Sequence, residues 1–515
     1  MPTKTIKSVL FSILLCGLIL FCGTLKAQAP SGHNSADAAA CDHLASVTLS
    51  NTTVTSAHVV PAGQFKPPAG PNSGYGDLPA FCRVSMTIKP SSDSDIKSET
   101  WLPLSGWNGK FQEVGNGGWN GDIQYGALAD GLRRGYATAS TDTGHEGGSA
   151  SFALGHPEKV IDFGYRAIHE TALQSKAVIA ALYGSPQQLS YFTGCSGGGR
   201  QAFAEAQRYP DDFEGIVAGA PGYDRTNESF QLVSIGQSIS RDPAAKISPE
   251  KLAVLHQAVL DACDALDGVK DGIISDPTRC KFDPEITLCK GADGATCLTR
   301  AQVETAKKFY APLKDPKTGE EVFPGFMPGS ELRWSGLIEG PMVMAGDLFK
   351  YVVFQDPKWD YMSLDVGKDL ALARKIDNET ISPTSANLKT FFGRGSKLII
   401  YHGWADQNIA PQSSIEYYDR LVKTLGQKEV NNSVRMYMVP GMGHCGGGEG
   451  PNVFDTLTAL EKWREKDAAP AEIIASQIAK GSVVRTRPLC PYPQTAHYKG
   501  SGNSDQAENF VCRVQ

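Results

Sequence analysis

Residues 189–222 carry one unit that leaves few folds open. An apolar run, "LSYFTG", meets the turn "CSGGG", then the helical stretch "RQAFAEAQRYPDDF", then a second apolar run, "EGIVAGAPG". Two short strands joined through a helix must run parallel, because the crossover carries the chain back to its starting edge. The same alternation recurs at "SKLIIYHGWAD" (396–406), "VRMYMVPGMGH" (434–444) and the helical "NVFDTLTALEKWREK" (452–466). Upstream, "DFGYRAIHETALQSKAVIAALYG" (162–184) has helical spacing and stops at Gly184. Short apolar stretches between 84 and 140 ("VSMTI", "ETWLPL", "GKFQEVG", "GYATAST") read as strands. The expectation is an α/β protein with a mostly parallel sheet.

Two regions break the pattern. Residues 223–394 lose the alternation and carry four cysteines, an acidic loop and Pro/Gly-rich turns such as "FPGFMPGS". They read as a domain inserted into the sheet domain, whose halves are 30–222 and 395–515, where it could cover a site. Residues 30–75, rich in Pro, Gly, Ser and Asn, read as an extended lead-in. The first 29 residues place Lys4 and Lys7 before an apolar run and end in Ala27-Gln28-Ala29, the pattern of a secretory signal peptide cut after Ala29. This predicts a secreted or periplasmic protein with no membrane attachment once the leader is removed. A net charge of −6 without a basic cluster argues against nucleic acid as a partner.

The turn "GCSGG" fits G-x-S-x-G at a strand-to-helix junction. That geometry lifts a serine hydroxyl above the strand ends, with the amide of the next residue, Gly197, at a helix start where an oxyanion can bind. A serine nucleophile needs a base, and the base an orienting carboxylate. Asp406 and His444 follow later strands on the same edge, in the order Ser, Asp, His. His402, His145 and His169 are the competing histidines. Cysteine adjacency chooses among them: Cys195 precedes Ser196 and Cys445 follows His444. A disulfide holds two Cα atoms about 5.5 Å apart, so a 195–445 bond would pin Ser196 beside His444. Ten of the twelve cysteines lie beyond the leader, an even number suited to an oxidising compartment. No CxxC pair occurs, which argues against zinc.

Taken together, Cys-Ser, a later Asp and His-Cys resemble the CS-D-HC motif of the tannase/feruloyl esterase family, which includes the mono(2-hydroxyethyl) terephthalate hydrolases. "GCSGGGR", "FEGIVAGAPGY", "CDALDGVKDGI", "YHGWAD", "VPGMGHC" and "RTRPLCPYPQ" resemble family segments along nearly the whole mature chain. The resemblance implies an α/β-hydrolase core with an inserted lid domain, and a serine esterase working through Ser196, Asp406 and His444. It implies that the second oxyanion donor is Gly118 in "GNGGWNG", a Gly-rich loop whose amides could approach an oxyanion on their own account. It implies disulfides Cys41–Cys82, Cys263–Cys280, Cys289–Cys297 and Cys490–Cys512 beside Cys195–Cys445.

In "CDALDGVKDGIISD", Asp264, Asp267 and Asp271 crowd eight residues, so a cation such as Ca²⁺ would relieve their repulsion, although the EF-hand spacing is absent and a solvated acidic turn is the plainer reading. The resemblance implies a structural Ca²⁺ held by those three carboxylates and the carbonyls of Val269 and Ile273. The substrate expectation is a small-molecule or plant-polymer ester of an aromatic acid, with feruloyl esterase ahead of tannase. Phe354, in "MVMAGDLFKYVVF", is the expected aromatic contact, with insertion core as its plain alternative. The terephthalate reading is weaker, since no Arg lies between Trp334 and Tyr361 to hold a free carboxylate. A peptidase, or a binding protein on an inactive hydrolase fold, completes the alternatives.

Overall fold

Strands covered by helices on both faces are expected to be deeply buried. In the structure, a computed structural model that describes residues 36–68 and 73–514, nine strands form the main sheet. They are β1 (Thr52–Val60), β2 (Phe81–Ile88), β3 (Ile96–Pro103), β4 (Lys110–Val114), β5 (Ala137–Thr141), β6 (Leu189–Cys195), β7 (Gly215–Gly219), β8 (Lys397–Gly403) and β9 (Val434–Val439). Their order is β1-β2-β3-β5-β4-β6-β7-β8-β9. The first three pairings are antiparallel and the remaining five parallel. Every residue of β5 and β7 is buried, whereas β1 alternates between half-buried and exposed at the sheet edge.

The lead-in departs from its expected extended form. The helix Ala38–His43 and the strand β1 lie within it, and the disulfide Cys41–Cys82 ties that helix to β2. "TTVTSAHVV" is rich in β-branched residues, but an edge strand with one wet face shows only a weak apolar period. The helix expected over 162–184 is α-helical over Ala167–Tyr183, after one π turn at Asp162–Arg166, and Gly184 closes it in the left-handed conformation. Beyond β9 comes the helix Thr456–Lys466, then a hairpin of Ile473–Ala479 and Ser482–Leu489 that the apolar pattern of the sequence does not mark. The expected signal peptide lies outside the described residues. Among the described residues, no helix is long and apolar enough to cross a membrane.

Residues between β7 and β8 form helices at Arg225–Arg241, Pro249–Cys263, Arg300–Tyr310 and Val366–Asp377, linked by shorter turns. Their core, with Phe230, Leu255, Phe309, Trp334 and Phe349, also takes in Trp119, Phe163 and Ile409 from the sheet region. The inserted region and the sheet therefore pack as parts of one compact unit, Asn34–Gln515.

Candidate active site

Parallel strands bring their C-terminal ends to one edge. Ser196 directly follows β6, Asp406 lies just after β8 and His444 just after β9. The same edge receives the loop that leaves β4, which carries Gly118. Ser196 adopts φ 64°, ψ −118° and heads the helix Gly197–Arg208. A serine in that region of backbone space is strained, and the surroundings hold it there. The Ser196 amide donates to Gly219 O at 2.9 Å, and its carbonyl accepts from the Arg200 and Gly222 amides at 3.0 and 3.2 Å. Glycine is required at Gly194, where a Cβ would stand 2.6 Å from the Gly198 carbonyl, and Gly197 is tight, since a Cβ there would stand 3.0 Å from the Asn116 carbonyl oxygen and the Gly118 nitrogen.

The Asp406 side chain is fully buried and saturated with donors. Its Oδ1 accepts from the amides of Asn408 (2.8 Å) and Ile409 (3.0 Å), and its Oδ2 meets His444 Nδ1 at 2.7 Å and His402 Nε2 at 3.1 Å. Burial alone would push this carboxyl up. The charge on His444 and the hydrogen bonds from His402 and His444 outweigh burial and hold it well below the usual carboxylate range. For His444, burial works downward, and the charge and hydrogen bond of Asp406, with Glu228 behind them, reverse it to a net rise. A carboxylate on Nδ1 fixes the proton there and leaves Nε2 free to act as a base.

The disulfide Cys195–Cys445 is present, with Cα atoms 5.9 Å apart across 250 residues of sequence. It links the residue before Ser196 to the residue after His444, and Cys445 itself sits at φ 59°. Among the described residues the Ser196 hydroxyl makes no hydrogen bond to protein, and resting hydrolases often tighten that bond only on substrate. Gly118, at φ 53°, lies against Gly197: a Cβ built at Gly197 would stand 3.0 Å from the Gly118 nitrogen.

Comparisons with known proteins place the chain in a family. The family model described as tannase and feruloyl esterase matches residues 82–513. The chain belongs to the tannase and feruloyl esterase family. An uncharacterised esterase of Xanthomonas campestris pv. campestris is 38% identical over 97% of this chain and 95% of its own. A probable feruloyl esterase B-1 of Aspergillus flavus is 34% identical over 84% of this chain and 86% of its own. The crystal structure of feruloyl esterase B from Aspergillus oryzae matches with a TM-score of 0.88 at 32% identity, covering 92% of this chain and 100% of that one. A tannin acyl hydrolase from Aspergillus niger, with a TM-score of 0.76 at 20% identity, shares the fold. The protein is thus a carboxylic ester hydrolase of the feruloyl esterase/tannase type, on an α/β-hydrolase-like fold.

Within this tannase/feruloyl esterase fold the competing histidines have other employment. His402 is buried and bridges Asp406 to Ser414 Oγ (2.7 Å). His145 Nε2 meets the Trp119 carbonyl at 2.7 Å, and His169 pairs with Asp212 at 2.6 Å and stacks on Tyr209. Phe354 is half-buried in an aromatic group with Phe349 and Trp359. The inserted residue that meets the Gly118 loop is Met344: its sulfur would stand 2.5 Å from a Cβ at Gly118, and its carbonyl accepts from Trp119 Nε1 (2.9 Å) and Arg225 Nη2 (3.2 Å). Arg333, directly before Trp334, packs its guanidinium against Gly443, next to His444. No periodicity marks these contacts in the sequence, because each joins segments far apart in the chain.

The acidic loop is closed by the disulfide Cys263–Cys280. Asp264 accepts from the amides of Asp271 (3.2 Å) and Gly272 (3.0 Å), and Asp267 from the Val269 amide (3.1 Å) and Ser275 Oγ (2.6 Å). Asp271 accepts from the Ile273 amide (3.2 Å) and pairs with Arg487. Among the described residues no three His, Cys, Asp or Glu side chains stand together as a metal would require. The disulfides Cys41–Cys82, Cys289–Cys297 and Cys490–Cys512 complete the five pairs.

Proposed function

We propose that this protein is an exported feruloyl esterase that cleaves esters of hydroxycinnamic acids through Ser196, His444 and Asp406. The observation that carries the mechanism is the 2.7 Å contact of Asp406 with His444 Nδ1, on a histidine tied through Cys445–Cys195 to the nucleophile turn. His444 Nε2 takes the Ser196 proton as Oγ bonds to the ester carbonyl carbon. The amides of Gly197 and Gly118 donate to the oxyanion. Collapse expels the alcohol, which leaves with the proton from His444. Water then attacks the acyl-enzyme with His444 again as base, and the acid is released. The feruloyl preference is supported by relatives named feruloyl esterase B at 34% identity and by a solved feruloyl esterase B at 32%. The region 223–394 acts as a lid, with Phe354 forming part of an aromatic acyl slot. Export is supported by five disulfides in the described residues.

Parallel assays on methyl ferulate, methyl gallate and the terephthalate monoester test the acyl preference. Methyl ferulate should give the largest kcat/KM, and a gallate preference would make the protein a tannase. A fluorophosphonate should label Ser196 in the folded protein and fail to label S196A. Absence of labelling in the wild type would favour a binding protein on an inactive fold.

A structural Ca²⁺ fits the donor chemistry of Asp264, Asp267, Asp271 and the carbonyls of Val269 and Ile273, all oxygen ligands. Its entry would require these carboxylates to turn from the amides and guanidinium they now accept from. The ion would screen their mutual repulsion and take no part in ester chemistry. Removing metal with a chelator should lower Tm by several degrees with kcat unchanged at assay temperature, and an unaltered Tm would argue for a metal-free loop.

A further inference from the structure

The first turn of the helix Arg225–Arg241 carries a carboxylate that the mechanism above does not use. Glu228 is 2% exposed. Its Oε1 accepts from Arg225 Nη1 at 2.9 Å, and its Oε2 is buried with no hydrogen-bond partner. Gly222 fixes its place relative to the reacting groups. A Cβ there would stand 3.3 Å from Glu228 Oε2, 3.2 Å from the Ile409 side chain and 3.9 Å from the Ser196 carbonyl oxygen. Ile409 belongs to the loop whose amide donates to Asp406. Glu228 therefore sits between the nucleophile turn and the Asp406 loop, on the near side of the inserted helix.

We propose that Glu228 is a positioning residue for ester hydrolysis, whose buried carboxylate favours the imidazolium that forms on His444 when Ser196 gives up its proton. This rests on the triad reading above. In acylation, the proton moves from Ser196 Oγ to His444 Nε2, and a positive ring forms in a site that excludes water. Asp406 faces that ring from its Nδ1 side, and Glu228 adds a second negative charge from the inserted helix. Arg225 opposes it, but among the influences on His444 the carboxylate of Glu228 outweighs the guanidinium. The charged groups facing Glu228 are Arg225 on its own helix, Asp224 before that helix, His444 from the β9 loop and Asp406 from the β8 loop. Burial pushes the Glu228 carboxyl up to about 7 against the pull of Arg225 and His444, with Asp406 and Asp224 adding to the rise. The unused Oε2 matters here: a carboxylate satisfied on both oxygens would project less charge toward the ring.

The test is the pH dependence of kcat/KM for wild type, E228Q and E228D on methyl ferulate. In E228Q the acid limb should move down by at most about half a pH unit, the scale of one full charge acting across a partly polar site. A carboxyl pushed up to about 7 carries only part of that charge on the limb. kcat should fall several-fold with KM nearly unchanged, and E228D should return the limb toward its wild-type position. A purely structural role would lower activity without moving the limb. An unshifted limb in E228Q, or an E228D profile identical to that of E228Q, overturns the proposal. If E228Q fails to fold with Arg225 left unpaired, the double variant R225M/E228Q removes both charges. A smaller downward shift is then expected, and an unmoved limb again overturns the proposal. Failure of the triad reading would look different, since Ser196 in the wild type would then resist the fluorophosphonate altogether.

Discussion

Three buried carboxyl groups in this esterase meet opposite fates. Asp406, at the C-terminal edge of the sheet, and the pair Glu113 and Glu205, in the interior beneath it, are all 0% exposed. Asp406 has four donors on its two oxygens. Glu113 on β4 and Glu205 on the helix Gly197–Arg208 have none on any of theirs. Burial pushes every one of them up. At Asp406 the neighbouring histidines overturn burial and keep the group ionised. At Glu113 and Glu205, burial is reinforced by the charge of Asp212, and both rise well above the ordinary carboxylate range. Depth alone thus does not decide the charge state. The donors that the surrounding loops aim at the group decide it.

The largest test is D406N. With the anion gone, His444 loses both its tautomer and its counter-charge, and kcat should fall by about 10⁴-fold while the fold persists. Activity within ten-fold of wild type would remove the functional half of the comparison. Next comes the strut that keeps the Asp406 side of the site assembled. C195A/C445A should cost about 2–5 kcal/mol in urea unfolding and lower kcat more than KM, because Ser196 and His444 would then be aligned by packing alone. An unchanged kcat would assign the bond to stability only.

The interior pair gives a smaller, pH-dependent effect. The native pKa of Glu113 lies above its unfolded value, so its contribution to stability is complete in acid and is lost as pH rises from about 4.5 toward the native value. E113Q lacks that loss. It should match wild type near pH 4 and then gain on it by at most about 1.4 kcal/mol per pH unit across that window, with kcat unchanged. Parallel curves across pH would show that Glu113 is ionised in the native state and would erase the contrast. Asp406 should give the mirror image: its depressed pKa contributes stability above about pH 4 that is lost as pH falls, so the acid decline of D406N should be shallower than that of wild type.

The features legible in the sequence were those whose cause is local or covalent. The strand–turn–helix around Ser196 follows from apolar runs and from a glycine, Gly194, whose place a Cβ could not take at that crossing. The closeness of the Ser196 turn to the His444 loop is readable because Cys195 and Cys445 flank them, and their disulfide converts adjacency in sequence into proximity in space. The edge strand β1 and the C-terminal hairpin escaped, since strands with a wet face carry little apolar signal and are defined by their partners. Phe354 was chosen by residue type alone, and its ring lies with Phe349 and Trp359.

By itself, the sequence determined the parallel α/β scaffold, the strand ends that carry Ser196, Asp406 and His444, and the residue types able to do acyl chemistry. Only the tertiary structure decided the environment of those groups: His402 as a second partner of Asp406, Met344 against Gly118, and Glu228 beside Gly222 and the nucleophile turn with one oxygen unsatisfied. The reason is physical. Backbone preference acts over a few residues, but charge state, desolvation and hydrogen-bond supply depend on every chain segment within several ångströms, whatever its distance along the sequence.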